Sequence, residues 1–153
     1  MSNKTKKRIN KDINEILTKS PEGISARLPD ENNLTEIIAT ITPNSDSLYY
    51  GGSFDVKIKI PEDFPFTPPD CKMITKIYHP NINSDNGYIC VNILKKDWSA
   101  VKTLLQVMLS IQILLDNPNP DDFLVYDIAE EYIKRNDKFK ETAKKWVELY
   151  AKK

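Results

Sequence analysis

One thiol in this chain sits where acyl chemistry could be done. Cys90 lies in the run Ile77-Tyr-His-Pro-Asn-Ile-Asn-Ser-Asp-Asn-Gly-Tyr-Ile-Cys-Val-Asn-Ile-Leu-Lys-Lys-Asp-Trp98, nine residues after the triplet His79-Pro80-Asn81. A thiol that takes up an acyl group as a thioester needs a neutral donor for the oxyanion that forms when the group moves. An asparagine amide can supply it. The apolar neighbours Ile89, Val91, Ile93 and Leu94 allow a plainer reading, a buried core thiol. A histidine base beside the cysteine would speed acylation, but it would also activate water against the stored thioester. His79 is the one histidine of the chain, so no Ser/His/Asp-like or Cys/His/Asp-like triad can be assembled by pattern. The second cysteine, Cys71, reads as a buried free thiol, and two cysteines fit a reducing compartment better than a disulfide framework.

Elements must hold that loop in place. Ile9, Ile13, Ile16 and Leu17 recur at helical spacing and predict an amphipathic helix over about residues 4–18, closed by Pro21 and Gly23. Strands are predicted over Leu34–Thr42 and Ser53–Ile60, the second with Phe54, Val56, Ile58 and Ile60 on one face, and more weakly over Cys71–Ile77. Pro61, Pro65, Pro68 and Pro69 forbid regular structure between the last two. Residues 78–101 read as a long irregular loop carrying Cys90, and loops of that kind are often functional. Thr103 is a candidate N-cap for a helix bearing Leu104, Val107, Met108, Ile111, Leu114 and Leu115, which Pro118 and Pro120 stop. Two further helices are predicted, Val125–Lys134 and Asp137–Tyr150, the last with Phe139, Ala143, Trp146 and Tyr150 on one face. Helix, then strands, then helices predicts an α+β domain with an antiparallel sheet, one unit over residues 1–153.

Composition narrows the function classes. Of 153 residues, 22 are Lys or Arg and 22 are Asp or Glu, so the formal net charge of zero argues against broad nucleic-acid binding. No apolar run reaches the ~20 residues that span a bilayer, and the polar, basic start Met1-Ser-Asn-Lys-Thr-Lys-Lys-Arg8 is no secretory signal. Metal-ligand spacings and a Gly-rich phosphate loop are absent, so neither a metal nor bound ATP is expected.

The Ile77–Trp98 run resembles the active-site segment of the ubiquitin-conjugating enzymes. Tyr49-Tyr50-Gly51-Gly52-Ser53-Phe54 is similar to the family's Tyr-x-Gly-Gly-x-Phe turn, and Phe64-Pro65-Phe66-Thr67-Pro68-Pro69 to its proline-rich loop. Asp97-Trp98-Ser99 and Asn119-Pro120-Asp121-Asp122 complete a resemblance that covers nearly the whole chain. It implies an N-terminal helix, a four-stranded antiparallel sheet and C-terminal helices. The fourth strand is then sought near Tyr88–Val91 or among the weaker stretches.

The resemblance also implies roles. Cys90 would carry ubiquitin or a ubiquitin-like modifier as a thioester. Asn81 would stabilise the oxyanion as a lysine attacks, rather than serve only as a turn residue after proline. Asp122 would orient that lysine and favour its neutral form, since a lysine with a reference pKa of ~10.4 must be deprotonated somewhere. His79 would fix the loop by hydrogen bonds, and Asn92 and Leu124 would line the cysteine's surroundings. Lys7, Arg8 and Lys11, with Lys4 and Lys6, would meet the activating enzyme. Phe66, Ser99 and Ala100 would meet RING- or HECT-type ligases, and Leu109 the carried modifier when it folds back. No cofactor is implied, because the activating enzyme uses the ATP. The expected protein is a monomer of cytoplasm or nucleus that acts on protein substrates, with no nucleic-acid or membrane partner.

Departures from the pattern are local. Asn81 to Cys90 is one residue longer than is usual in the family, through Ser84-Asp85-Asn86-Gly87, and Thr42-Pro43 replaces the usual Gly-Pro. Asn92 stands where ubiquitin carriers commonly have Asp, and with Lys11-Asp12-Ile13-Asn14-Glu15 it looks more like the branch that carries the Nedd-type modifier. Ubiquitin remains the first expectation. A non-catalytic ubiquitin-binding scaffold is the rival of another class, and Cys90 argues against it, since such variants lack the cysteine. A cysteine hydrolase is the other rival.

Overall fold

The computed structural model describes residues 1–152. Lys153, the last residue of the expected unit, lies outside them. Helix α1 (Asn3–Thr18) starts at Ser2, whose hydroxyl accepts from the Thr5 N–H, and it buries Ile9, Ile13 and Ile16. Four strands follow in chain order, β1 (Ile24–Arg27), β2 (Glu36–Ile41), β3 (Phe54–Lys59) and β4 (Asp70–Met73), all paired antiparallel with their neighbours. Helices α2 (Leu104–Asp116), α3 (Tyr126–Lys134) and α4 (Asn136–Trp146) complete the chain, with a π-helical turn over Val147–Ala151.

The alternation in β3 does what its period dictates. Phe54, Val56 and Ile58 point into the core while Lys59 faces solvent. They join Ile37, Ala39 and Ile41 of β2, and Leu104, Val107, Met108, Ile111 and Leu115 of α2, in one apolar cluster. α2 begins at the expected residue. Thr103 accepts from the Gln106 N–H and the Gln106 side chain accepts from the Thr103 N–H, a reciprocal capping box.

Two expectations need correction. The fourth strand is Ile24–Arg27, not residues 88–91, where Tyr88 and Ile89 make only single bridges to Lys72 and Ile82. β1 has four residues, one of them buried, and follows a Pro/Gly helix stop, so it carries little period to read. The inner face of the last helix is Phe139, Ala143, Val147 and Ala151, while Tyr150 is exposed and Trp146 half-buried. Trp146 instead packs against Tyr78 and Tyr150, each ring centroid 5.2 Å away, the first tilted at 59° and the second edge-to-face at 74°. The end of the chain docks on the Tyr-Gly-Gly turn, where the Ser53 N–H donates to the Ala151 carbonyl and Gly52 pairs with Lys152. A side chain at Gly52 would meet the Phe54 ring at 2.8 Å.

Candidate active site

Residues 78–101 hold no strand of the sheet, yet they are pinned at many points. The Cys90 N–H donates to the Asn81 carbonyl at 2.9 Å, and Ile82 pairs with Ile89. Beyond that pair the chain turns at Asn83–Gly87. The Gly87 N–H reaches the Asn83 carbonyl at 2.8 Å, and the Met73 N–H of β4 reaches the Gly87 carbonyl at 2.8 Å. Gly87 has φ +76°, and a Cβ there would meet the Met73 carbonyl oxygen at 2.5 Å, so the turn requires glycine. The extra residue of this loop falls in the turn, on the far side of the Ile82–Ile89 pair from Cys90. The ladder therefore sets Cys90 directly against Asn81 despite the longer spacing.

His79 is fully buried and both ring nitrogens are engaged. Nδ1 accepts from the Asn81 N–H at 3.0 Å, and Nε2 lies 2.9 Å from the Leu114 carbonyl, which can only accept. The ring is therefore the neutral Nε2–H tautomer. Burial pushes its pKa down from 6.5 to about 4, against the smaller opposing effect of the Leu114 and Leu115 carbonyls. A neutral ring with no free nitrogen cannot act as a base on Cys90.

That arrangement predicts a pH dependence. The histidine takes a proton near pH 6.5 in the unfolded chain but only near 4 in the fold. Between those values the unfolded state binds more protons, so stability rises with pH there. Acidification from pH 6.5 towards 4 is expected to cost about 3 kcal/mol from this group alone. Urea unfolding at pH 7, 6 and 5 checks it. Equal stabilities in wild type, or an equal slope in His79→Asn, would contradict it.

Asn81 is fully buried and ties the loop to the segment after α2. Its Nδ2 donates to the carbonyls of Asn119 (2.9 Å) and Asp122 (3.0 Å), and its Oδ1 accepts from the Asn119 N–H at 2.9 Å. Asn119 caps the short 3-10 turn Pro120–Asp122, accepting from the Asp121 N–H. Leu124 and Val125 donate their N–H groups to the Pro80 carbonyl at 2.9 and 3.2 Å. The structure thus gathers His79, Asn81, Cys90, Asp122 and Leu124 into one corner. Asn119, overlooked in the sequence except as part of a motif, joins them. An asparagine before proline and two aspartates was the signal.

Cys90 is 4% exposed and opens on a groove of about 310 Å³. Asn92, Ile93 and Asp97 line one side, and Ser110, Ile113, Asn117 and Asn119 the other. Leu109, one residue before Ser110, packs partly against the core, and Ile113 is 62% exposed. Ile113 was missed because α2 already supplies a full buried stripe. Lys95 was missed too. It is a solvent-exposed residue whose Nζ lies 2.9 Å from Cys90 Sγ. Cys71 is a different case. It is buried in β4 opposite Ile58, and burial pushes its thiol pKa far up, with Asp70 adding to the effect. Among the described residues no group of three or more His, Cys, Asp or Glu side chains is placed to hold a metal ion, and no helix is long and apolar enough to cross a membrane.

The expected partner surfaces divide. Phe66 is 79% exposed and not wedged beneath the prolines; the buried aromatic of that loop is Phe64, packed on Trp98. Trp98 Nε1 donates to the Pro65 carbonyl at 3.0 Å and joins the two loops, with Ser99 exposed and Ala100 half-buried beside it. Lys4, Lys6, Lys7 and Lys11 are exposed on α1. Arg8, grouped with them in the sequence, turns inward instead. It pairs with the buried Asp12 (3.0 Å), donates to the carbonyls of Ala100 and Lys102, and lies over the Phe64 ring. Its charge fixes the 100–102 loop to α1 rather than standing free for a partner.

An α+β fold of this order is the fold of the ubiquitin-conjugating enzymes. The family model for ubiquitin-conjugating enzyme matches residues 8–147. The chain is 42% identical over 154 residues to ubiquitin-conjugating enzyme E2 K of Homo sapiens and of Bos taurus, covering 99% of this chain and 76% of each relative. A solved structure of a ubiquitin-conjugating-type protein from Plasmodium yoelii superposes with a TM-score of 0.90 at 36% identity, over 100% of this chain and 99% of that one. The E2 domain of a Toxoplasma gondii ubiquitin conjugating enzyme does so at 0.87 and 37%, over 96% and 99%. The chain belongs to the ubiquitin-conjugating enzyme family, a family of transferases.

Proposed function

We propose that Cys90 accepts ubiquitin from an activating enzyme as a thioester and passes it, with a ligase, to a substrate lysine. The observation that carries this is the state of His79. The only histidine is neutral and spent on both sides, so the cysteine sits in a site without an imidazole base to direct water at a stored thioester. That suits a carrier and disfavours a hydrolase. The groove beside Cys90 gives the acyl chain a path along α2, with Ile113 and Leu109 offering apolar contact to a modifier folded back on the helix. Asn81 would lend an amide hydrogen to the oxyanion during attack, and Asp122 would receive the incoming lysine. The exposed face of α1 with Lys7 and Lys11 would receive the activating enzyme, which spends the ATP.

Similarity to E2 K supports ubiquitin as the modifier, while Asn92 favours the Nedd-type modifier as the second reading. Side-by-side charging with the ubiquitin and Nedd-type activating systems tests this. A thiol-sensitive adduct with ubiquitin alone, or much faster with it, is the expected result. Faster charging with the Nedd-type modifier would overturn the assignment.

Phe66 would anchor the ligase. Its ring stands out from a proline-stiffened loop, so little backbone entropy is lost on binding. Phe66→Ala is expected to remove most ligase stimulation while unassisted discharge to free lysine stays at the wild-type rate. Its melting should stay within about 0.5 kcal/mol of wild type, because the side chain is exposed. Discharge assays with and without a ligase check this; equal loss in both would take Phe66 out of the interface.

A further inference from the structure

A second cavity, of about 570 Å³, lies between the 44–48 loop, the end of α2 and the α3–α4 pair. It shares no lining residue with the Cys90 groove, and the transfer proposed above does not use it. Its size is that of a small-molecule site. The floor is apolar: Leu115 and Phe139 are buried there, and Tyr132 stands edge-on to Phe139 with ring centroids 5.0 Å apart. The walls carry opposite charges. On one side the Ser47 hydroxyl donates to Asp116 at 2.6 Å, which brings the loop of Asp46 against the end of α2. On the other side Asn136 and Lys140 stand one helical turn apart on α4.

Two observations set these charges apart from an ordinary solvated surface. Asp116 is the last residue of α2, where the free carbonyls of the final turn already carry a partial negative charge of about half a unit, and no basic residue stands in that turn. No cation of the protein answers it either. Among the described residues Asp46, Asp116 and Lys140 enter no ion pair. A carboxylate at the wrong end of a helix is a local conflict of the kind that functional sites retain. Its field also acts inside the cavity. Burial pushes up the pKa of the Tyr49 phenol, which lies in the floor, and the Asp116 charge adds to that rise.

We propose that this cavity binds a small zwitterion, an ammonium and a carboxylate joined by a short hydrocarbon chain. The ammonium meets Asp46 and Asp116, the chain lies on Leu115, Phe139 and Tyr132, and the carboxylate meets Lys140, with the Asn136 amide as a further donor. Each charged end exchanges water for an opposite charge, and the end of α2 gains the cation that it lacks. A plain cation would face Lys140 without compensation, and a plain anion would face two aspartates. The hydrocarbon between the ends gains by leaving water.

The test uses the full chain with 6-aminohexanoate as the probe, at constant ionic strength. Hexylamine and hexanoate are the analogues that lack one charge. 6-Aminohexanoate should raise the melting temperature saturably, and each analogue should bind at least about tenfold more weakly, the loss of one charge-assisted contact. Backbone amide shifts in the NMR spectrum should gather at residues 44–49, 115–118 and 132–140. Asp116→Asn and Lys140→Gln change exposed side chains, and each should weaken the probe at least about tenfold. If either variant melts early, the analogue series on wild type decides alone. An analogue that binds as well as 6-aminohexanoate overturns the proposal. So does a melting shift that sodium chloride reproduces, an absence of saturable binding, or amide shifts centred on the Cys90 groove.

Discussion

Cys90→Ala is expected to abolish charging while the protein melts within about 1 kcal/mol of wild type. The substitution removes one sulfur from the edge of a groove and leaves the backbone contact between Cys90 and Asn81 in place. The other thiol cannot take its place, because Cys71 lies in β4 inside the core with its thiol held protonated by burial. Cys90→Ser should still accept the modifier, slowly, as an oxyester that thiol reductant does not cleave. Cys71→Ser should show the reverse pattern, normal charging with lower stability, since a hydroxyl would be buried without an assured partner. Non-reducing gels and thermal melts of the three variants check the set. Charging that survived in Cys90→Ala would remove Cys90 from the chemistry.

Asn81→Ala is expected to slow discharge onto free lysine by ~10²–10³ while loading of Cys90 stays largely intact. The geometry makes the demand on this residue explicit. Both amide hydrogens are directed at the carbonyls of Asn119 and Asp122, so donation to an oxyanion requires one of these bonds to be exchanged. A typical hydrogen bond is worth ~1 kcal/mol net, whereas an oxyanion donor is worth ~3–4 kcal/mol in the transition state. The exchange is therefore favourable when the charge develops. The alanine variant also leaves the Asn119 N–H without its partner, which should lower stability by ~1–3 kcal/mol. Single-turnover discharge beside a melt at the same temperature separates the two effects. Loading and discharge falling together, in step with stability, would reduce Asn81 to a brace for the 119–122 turn.

The features legible in the sequence were those with a local period or a long motif. α1, β3 and α2 repeat their apolar residues at the spacing of their own backbone, and Thr103 marks the α2 start as an N-cap, with the Gln106 half of the capping box emerging only in the fold. β1 was not legible because four residues with one buried side chain carry no period. The site's principal contacts were hidden for a different reason. Asn81 and Asn119 are 38 residues apart, and only folding makes them partners. Arg8 reads as one charge among lysines until the 100–102 loop, more than ninety residues away, offers its carbonyls. Lys95 reads as a solvated charge because nothing in its spacing announces that the Asn92–Leu94 turn swings it back over the sulfur.

Mass mapping of the protein charged with activating enzyme, ATP and ubiquitin, split before digestion into samples with and without thiol reductant, tests thioester carriage most directly. The predicted result is one early adduct on the peptide containing Cys90, present without reductant and lost with it. An early adduct on Cys71, or an early adduct on Cys90 that resists reductant, would contradict the account.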